Sequence, residues 1–453
     1  MFFTIIVAVF IALGAEPKLE LVHDLTFNPA LRLIYTILIV ALAPVPGILL
    51  SASIRPEDLR DAVGRARILK RVRVGSVLYQ AYLLASFAVI TYVVDWPLVI
   101  EGTLGMHGWV LIDELLRLAP FLGMLVLAWV PLYRLDRILR RGHWTLGEYM
   151  EFHFRQYVLF VLMPFVVMVS VVDVVGLLPG ATFLERTGLD YVVAIGAMGV
   201  LYVFAPLVLR YVWKTRRMEE GPLRQRLHRL CERAEMGRRD ILVWETMGGH
   251  VVNACVAGII APVRYVMVTD ALVDALSPDE IEAVFAHEIG HVKLHHMVYY
   301  ALFALGFLAL FILLTSTPFF VTESNGPVRS YAQVFSPESL LLVGLGVLYW
   351  GLAFGFISRR MEAEADVYAV ELTGSTLDFV NALERISFYS GRARNSGSWR
   401  HFSTARRTGF LKRCLDDPRH RERFQTGMSV LRWAIVSFAV ISVAAAASVV
   451  FFW

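Results

Sequence analysis

Charge and cysteine are what this sequence has little of. Asp, Glu, Lys and Arg supply 18% of its 453 residues, where soluble domains carry about a quarter. With 57% of the chain apolar, too little polar surface is left for a soluble globule, and an integral membrane protein is expected. The three cysteines, Cys231, Cys255 and Cys414, are widely spaced. They exclude a disulfide framework and a zinc–thiolate cluster, and fit buried or free thiols in a reducing compartment. No Lys or Arg precedes the short apolar stretch 2–14, so it lacks the basic lead of a signal peptide. There is no internal repeat, and no low-complexity stretch beyond the Ala444–Ala447 run. The net charge of +4 could suggest nucleic acid, but its distribution argues for a lipid bilayer as partner and against nucleic acid.

Apolar segments of the roughly 20 residues needed to cross a bilayer are read at 31–50, 77–100, 118–134, 157–179, 190–213, 298–321, 338–358 and 430–453. Stretch 2–14 is counted as a shorter ninth. Lys and Arg number seven in 51–76, five in 134–156, eleven in 214–297 and thirteen in 359–429, but one each in 15–30, 101–117, 180–189 and 322–337. If the eight long segments span, the two groups fall on opposite sides without exception, and the positive-inside rule makes the basic side cytoplasmic. The Arg-rich runs at 64–73 and 406–413 then read as topology determinants and contacts to anionic lipid. Pro44 and Pro46 predict a kink in their span. Asp95 and Asp173 lie in apolar segments close to their outer ends, where hydration suffices. Gly344, Gly346, Gly351 and Gly355 make a small-residue face suited to helix packing.

This divides the chain into an N-terminal transmembrane region (1–213, five or six spans), a cytoplasmic segment (214–297), two spans (298–358), a second cytoplasmic segment (359–429) and a last span (430–453). In the first cytoplasmic segment, Leu223, Leu227, Leu230 and Ala234 give a helical stripe behind Gly221-Pro222. Three strand-like runs follow: Ile241–Glu245, Val251–Ala257 and Val263–Thr269. Ser277-Pro278-Asp279-Glu280 then opens a helix, with Ser277 as N-cap and Glu280 closing a capping box.

That helix carries His287-Glu288-Ile289-Gly290-His291. Residues four apart share a helical face, so His287 and His291 can offer two imidazoles to one metal while Glu288 polarises a water. Catalytic zinc takes a third protein ligand and keeps one position open. Ser358-Arg359-Arg360-Met361-Glu362-Ala363-Glu364-Ala365-Asp366 offers one, on the same predicted side of the membrane. Glu362 and Asp366 are four apart, so Glu362 can bind the metal while Asp366 accepts a hydrogen bond from a ligating imidazole. Glu364 competes with Glu362 for the ligand role. His295 and His296 are read as interfacial or substrate-side residues, because two more imidazoles would close the site.

With these motifs, residues 222–372 resemble the integral-membrane zinc metallopeptidases that include the HtpX-like proteases and the type I CAAX prenyl endopeptidases. The resemblance implies a mainly α, polytopic protein of 8–9 spans. Its cytoplasmic gluzincin-type α+β peptidase domain would contain a small antiparallel sheet. It implies one Zn2+ per chain, Glu362 as third ligand, Asp366 as orienter of His287, and an extended polypeptide substrate along the strand at Asn253 and Ala254. A strand edge binds extended peptides by strand addition in any case. One departure stands out. Relatives often carry Ser-Thr-His-Pro followed by a basic residue, where this chain has Ser403-Thr404-Ala405-Arg406, so the nearby His401 becomes the candidate oxyanion donor. His250 is a candidate cleft residue beside Asn253.

The sequence therefore predicts a membrane-embedded zinc metalloendopeptidase cutting membrane-associated or misfolded proteins at the cytoplasmic face, with Glu288 as general base. Two alternatives are CAAX-type processing of prenylated C-terminal peptides and a non-proteolytic zinc-binding transporter or receptor. The absence of any recognisable prenyl pocket favours a quality-control role over the first. The second is disfavoured because structural zinc would use four ligands and no base, and no paired midplane charges or repeated broken helices stand out.

Overall fold

A computed structural model describes residues 2–13, 29–54, 62–103, 105, 110–140, 145–176, 189–246, 251–316, 337–389, 394–395, 397 and 402–452. The chain forms two compact units, Met1–Met198 with Ser324–Ser336, and Gly199–Glu323 with Pro337–Trp453.

Among the described residues, six helices are long and apolar enough to cross a membrane. They are Pro29–Ala52, Arg67–Val93, Leu111–Leu139, Leu146–Val175, His296–Thr315 and Pro418–Val449, each overlapping an expected span. The expected spans 190–213 and 338–358 are helical as well. The first lies in Leu189–Val212; in the second, Pro337–Leu348 runs through a π-helical turn, Tyr349–Phe354, into the following helix. Stretch 2–14 contains a 12-residue helix, Phe2–Leu13. In the first unit, the kink expected at Pro44 and Pro46 is a break between helices Pro29–Leu42 and Val45–Ala52. Asp95 differs from its reading as a hydrated end residue: it is buried, and its carboxylate lies 3.3 Å from the Arg32 guanidinium. A buried carboxylate needs such a partner more than it needs nearby water.

In the second unit, strand β1 (Thr215–Arg217) leads to helix α1 (Pro222–Arg233). Then come β2 (Asp240–Trp244), β3 (Ala254–Ala257), β4 (Tyr265–Thr269) and a short helix α2 (Asp270–Ala275). The sheet order is β1-β2-β4-β3. β1 pairs β2 and β3 pairs β4 antiparallel, but β2 pairs β4 in parallel, Leu242 opposite Met267. The small sheet is thus mixed, correcting the antiparallel expectation. After β2 the chain crosses to the far side of β4 before forming the β3–β4 hairpin, so β2 and β4 run the same way. The hairpin turns at Gly258 (φ +114°), where a Cβ would lie 2.8 Å from Arg264 Cα; only glycine fits. Central β4 is buried along its length, while β3 keeps one free edge.

One sheet face, including Ile241, Val243, Val266 and Val268, packs against Leu227 and Leu230 of α1 and against Ile281, Phe285 and Ile289. The last three lie on α3 (Pro278–Lys293), whose four-residue spacing gives it a buried stripe. The predicted capping box starts α3: Ser277 Oγ accepts from the Glu280 N–H at 3.3 Å, and Glu280 accepts from the Ser277 N–H at 2.8 Å. Such a cap contributes about 1 kcal/mol. Beyond α3 come α4 (His296–Thr315), α5 (Gly355–Thr373), α6 (Thr376–Tyr389), α7 (Thr404–Asp416) and α8 (Pro418–Phe452).

α3 packs closely against α5. At Gly290 a Cβ would stand 3.2 Å from Ala365 Cα and 3.2 Å from the Tyr368 ring, so only a minimal residue permits this approach. Gly290→Leu is expected to overpack the contact, costing about 1–3 kcal/mol, and to lower the thermal midpoint in detergent. An unchanged midpoint would show that the helices do not depend on this contact.

Candidate metal centre

The approach of α3 to α5 sets Glu362 against the two imidazoles. Nε2 of His287 lies 3.5 Å from Glu362 Oε2 and Nε2 of His291 lies 3.6 Å from Oε1. The two Nε2 atoms are 3.2 Å apart. One ligand atom from each of the three residues falls within 4.8 Å of the others, and no other such group of potential ligands occurs among the described residues. His287 and Glu362 are buried at 7% and 5% exposure.

Each imidazole has a polar neighbour at its other nitrogen. Nδ1 of His287 lies 2.9 Å from Asp366 Oδ1, and Asp366, fully buried, receives the Arg407 guanidinium at 2.8 and 2.5 Å. Nδ1 of His291 lies 2.9 Å from Nδ1 of His296. Glu364, two residues after Glu362 and therefore turned well away from it, meets His296 and Arg432 rather than the two Nε2 atoms. Geometry thus separates the two carboxylates that the sequence left in competition.

The electrostatics fit a cation. Burial disfavours a charged His287, but Asp366 and Glu362 outweigh it and push its pKa up to about 10. Burial and then the neighbouring His287 push His291 down to about 3. The pair therefore favours one positive charge between two closely facing nitrogens. Burial would raise Asp366, yet Arg407 and His287 hold its carboxyl below the ordinary carboxylate range. Two imidazoles, a carboxylate and a field that stabilises positive charge form a donor set suited to a tetrahedral divalent ion with one position left over.

Glu288 lies beside this group, turned towards β3. Burial raises its pKa to about 7, while the backbone N–H of Val256 donates to its carboxylate and opposes the rise. Cys255 on the same strand is raised by burial and by Glu288. Ala254 opens β3, opposite Val268. Asn253 precedes it, its N–H donating to Thr269 Oγ1 at 3.1 Å and its carbonyl accepting from the Thr269 N–H at 3.0 Å. Its side chain is exposed. His250 and His401 lie outside the described residues.

Sequence reasoning missed three residues of this cluster. The sequence places Arg407 in the basic run at 406–413, His296 among interfacial or substrate-side residues, and Arg432 in a span. The available signals were three carboxylates at spacing two, Glu362, Glu364 and Asp366, on one helix, which need cationic partners wherever they are buried, and an Arg just inside an apolar segment, which needs an anionic one.

Fold and site together define an integral membrane protein with a His–His–Glu ligand group. Residues 217–427 match Peptidase family M48. The Protease HtpX of Histophilus somni is 30% identical over 222 residues, 47% of this chain and 72% of that protein. A Protease HtpX homolog of Aeropyrum pernix is 29% identical over 215 residues, 45% of this chain and 65% of that protein. CAAX prenyl protease 1 of Saccharomyces cerevisiae is 30% identical over 203 residues, 40% of this chain and 44% of that protein. The chain belongs to Peptidase family M48. Its match to the Aeropyrum protein spans just under two thirds of that protein's length, and its match to the yeast protein less than half. The crystal structure of S. mikatae Ste24p shares the fold, with a TM-score of 0.55 at 21% identity over 85% of this chain and 99% of that one.

The Asp366–Arg407 pair gives a stability prediction. Arg407→Met leaves Asp366 charged, buried and without its main partner, at a cost of about 3–5 kcal/mol. A thermal midpoint equal to wild type would contradict the structural role given to this pair.

Proposed function

We propose that this protein is a membrane-embedded zinc metalloendopeptidase, with one Zn2+ per chain held by His287, His291 and Glu362. The observation that carries this reading is the convergence of those three ligand atoms, with the carboxylate of Glu288 beside them and the edge strand β3 adjoining. A zinc ion there supplies Lewis acidity to the scissile carbonyl and to an attacking water. Glu288 accepts the proton of that water and delivers it to the departing amine, a task suited to a carboxyl whose pKa is lifted towards neutrality. Asp366 holds the His287 ring so that Nε2 faces the ligand position. The free edge of β3, entered at Asn253 and Ala254, offers backbone groups to an extended polypeptide. His401 is the proposed donor to the developing oxyanion.

The reading extends to substrate and place. α3 passes within a few residues into α4, which begins a candidate span. The site therefore adjoins apolar helix surface, which suits membrane-associated or misfolded polypeptides as substrates. The thirteen Lys and Arg in 359–429 and eleven in 214–297 favour the cytoplasmic side for both segments that build the site. They also favour the division at 213, 297, 358 and 429.

Three measurements on detergent-purified protein test this reading. Wild type is expected to bind one zinc and cleave an unfolded model polypeptide, with cleavage lost on chelation. Glu288→Gln is expected to keep its zinc and lose at least 100-fold in rate, about the low end of what a general base contributes; full activity would remove Glu288 as base. Glu362→Ala is expected to lose the metal, and zinc at wild-type occupancy would remove Glu362 as a ligand.

A further inference from the structure

We propose that His296, Glu364 and Arg432 form a positioning arm that fixes His291 in its metal-binding tautomer and ties that ligand to the final helix of the chain. The inference rests on reading His287, His291 and Glu362 as the metal ligands.

If Nε2 of His291 is to offer a lone pair to a metal, its proton must sit on Nδ1, 2.9 Å from Nδ1 of His296. That contact is a hydrogen bond only if His296 Nδ1 is unprotonated. The His296 proton must then occupy Nε2, which stands 3.0 Å from Glu364 Oε2. Glu364, as a carboxylate, accepts there and also receives the Arg432 guanidinium on Oε1 at 2.5 Å. With His296 neutral and Glu364 ionised, one assignment of protons satisfies every contact from His291 to Arg432, and it is the one that leaves Nε2 free. With those two groups in the same states, the opposite tautomer of His291 would either set its Nδ1 lone pair against that of His296 Nδ1 or turn the His296 Nε2 lone pair onto the carboxylate.

Several features show that the arm is built in. His296 is fully buried and Glu364 nearly so, at 0% and 9% exposure; an imidazole and a carboxylate so placed need partners. The turn that brings His296 back onto His291 passes through His295, in the left-handed region at φ 58°, a conformation that a non-glycine residue adopts against a steric penalty. Arg432 belongs to α8, inside a candidate span, where a guanidinium is tolerated when paired. The extensive packing of α8 along α4 brings it to Glu364, and its guanidinium lies 5.8 Å from the Tyr299 ring centroid, within cation–π range.

The two ligand imidazoles are thus supported differently. His287 is braced by Asp366 and Arg407, His291 by a relay that ends on the C-terminal helix. Neither His296 nor Arg432 contacts the ligand position itself, so both are positioning residues.

The test is zinc affinity of the purified full-length protein, measured by competition with a chromophoric chelator. The proteins compared are wild type, Glu362→Ala, His296→Leu, His296→Asn and Glu364→Gln. Loss of a partner behind a metal-bound imidazole is expected to weaken binding about 10–100-fold, so His296→Leu should fall in that range. His296→Asn, whose side-chain oxygen can stand where Nδ1 stood, should recover to within a few-fold of wild type. Wild-type affinity in His296→Leu would reduce the arm to packing, and His296→Asn no better than His296→Leu would deny the tautomer argument. Glu364→Gln preserves the His296 ring and its packing, so it decides the matter should His296→Leu fail to fold: about a tenfold loss supports the arm, and no loss overturns it. A wild type that binds no zinc would instead remove the metal reading itself, and a Glu362→Ala protein that binds as wild type would misplace the site.

Discussion

Glu362 can stand beside two imidazoles because α3 and α5 approach until Gly290 meets Ala365, and the rest of the site depends on that contact. A helix carrying a buried apolar stripe can rotate little without exposing Ile281, Phe285 and Ile289, all nearly inaccessible. With α3 fixed by that stripe and by the sheet behind it, the direction of His287 and His291 is fixed as well. The glycine then decides how near the Glu362 carboxylate comes. The same packing takes Glu362, Glu364 and Asp366 out of water together, with Glu288 close by. Among the described residues, two guanidinium groups, from Arg407 and Arg432, face this cluster at short range. The remaining excess of negative charge is a cost that a divalent cation between the imidazoles would relieve.

The same requirement connects the site to distant parts of the chain. Asp366 needs Arg407, which brings α7 to α5; Glu364 needs Arg432, which brings α8. Burial therefore makes α5, α7 and α8 interdependent. β3 is an edge strand of the sheet, and the Val256 backbone on it engages Glu288. The His–His–Glu group, Glu288 and the strand edge thus meet at one place because the mixed sheet presents β3, not β2, at its edge.

Much of this was legible in the sequence because the relevant signals are local. The capping box at Ser277, the four-residue spacing of His287 and His291, the spacing of Glu362 and Asp366, and the apolar spans all express helical periodicity within a few turns. Three of the four strands were visible as β-branched runs. What was not legible depends on contacts between segments far apart in sequence. The parallel pairing of β2 with β4 follows from the path of the chain after Trp244, which no residue between them announces. β1 is only three residues of basic sequence, with no apolar alternation to mark it. Glu362 and Glu364 were interchangeable until the rotation of α5 was known. Arg407, His296 and Arg432 matter because each neutralises or orients a buried partner, and burial is a tertiary property. The role given to His401 rests on its nearness in sequence to Ser403-Thr404 alone.

The account stands on a single divalent metal bound by two nitrogens and one carboxylate. X-ray absorption at the zinc edge of the purified, zinc-loaded protein tests that directly. The expected first shell holds only nitrogen and oxygen at about 2.0–2.1 Å, with the multiple-scattering pattern of two imidazoles. A sulfur scatterer near 2.3 Å, which would bring in a cysteine such as Cys255, or a shell with fewer than two imidazoles would contradict it.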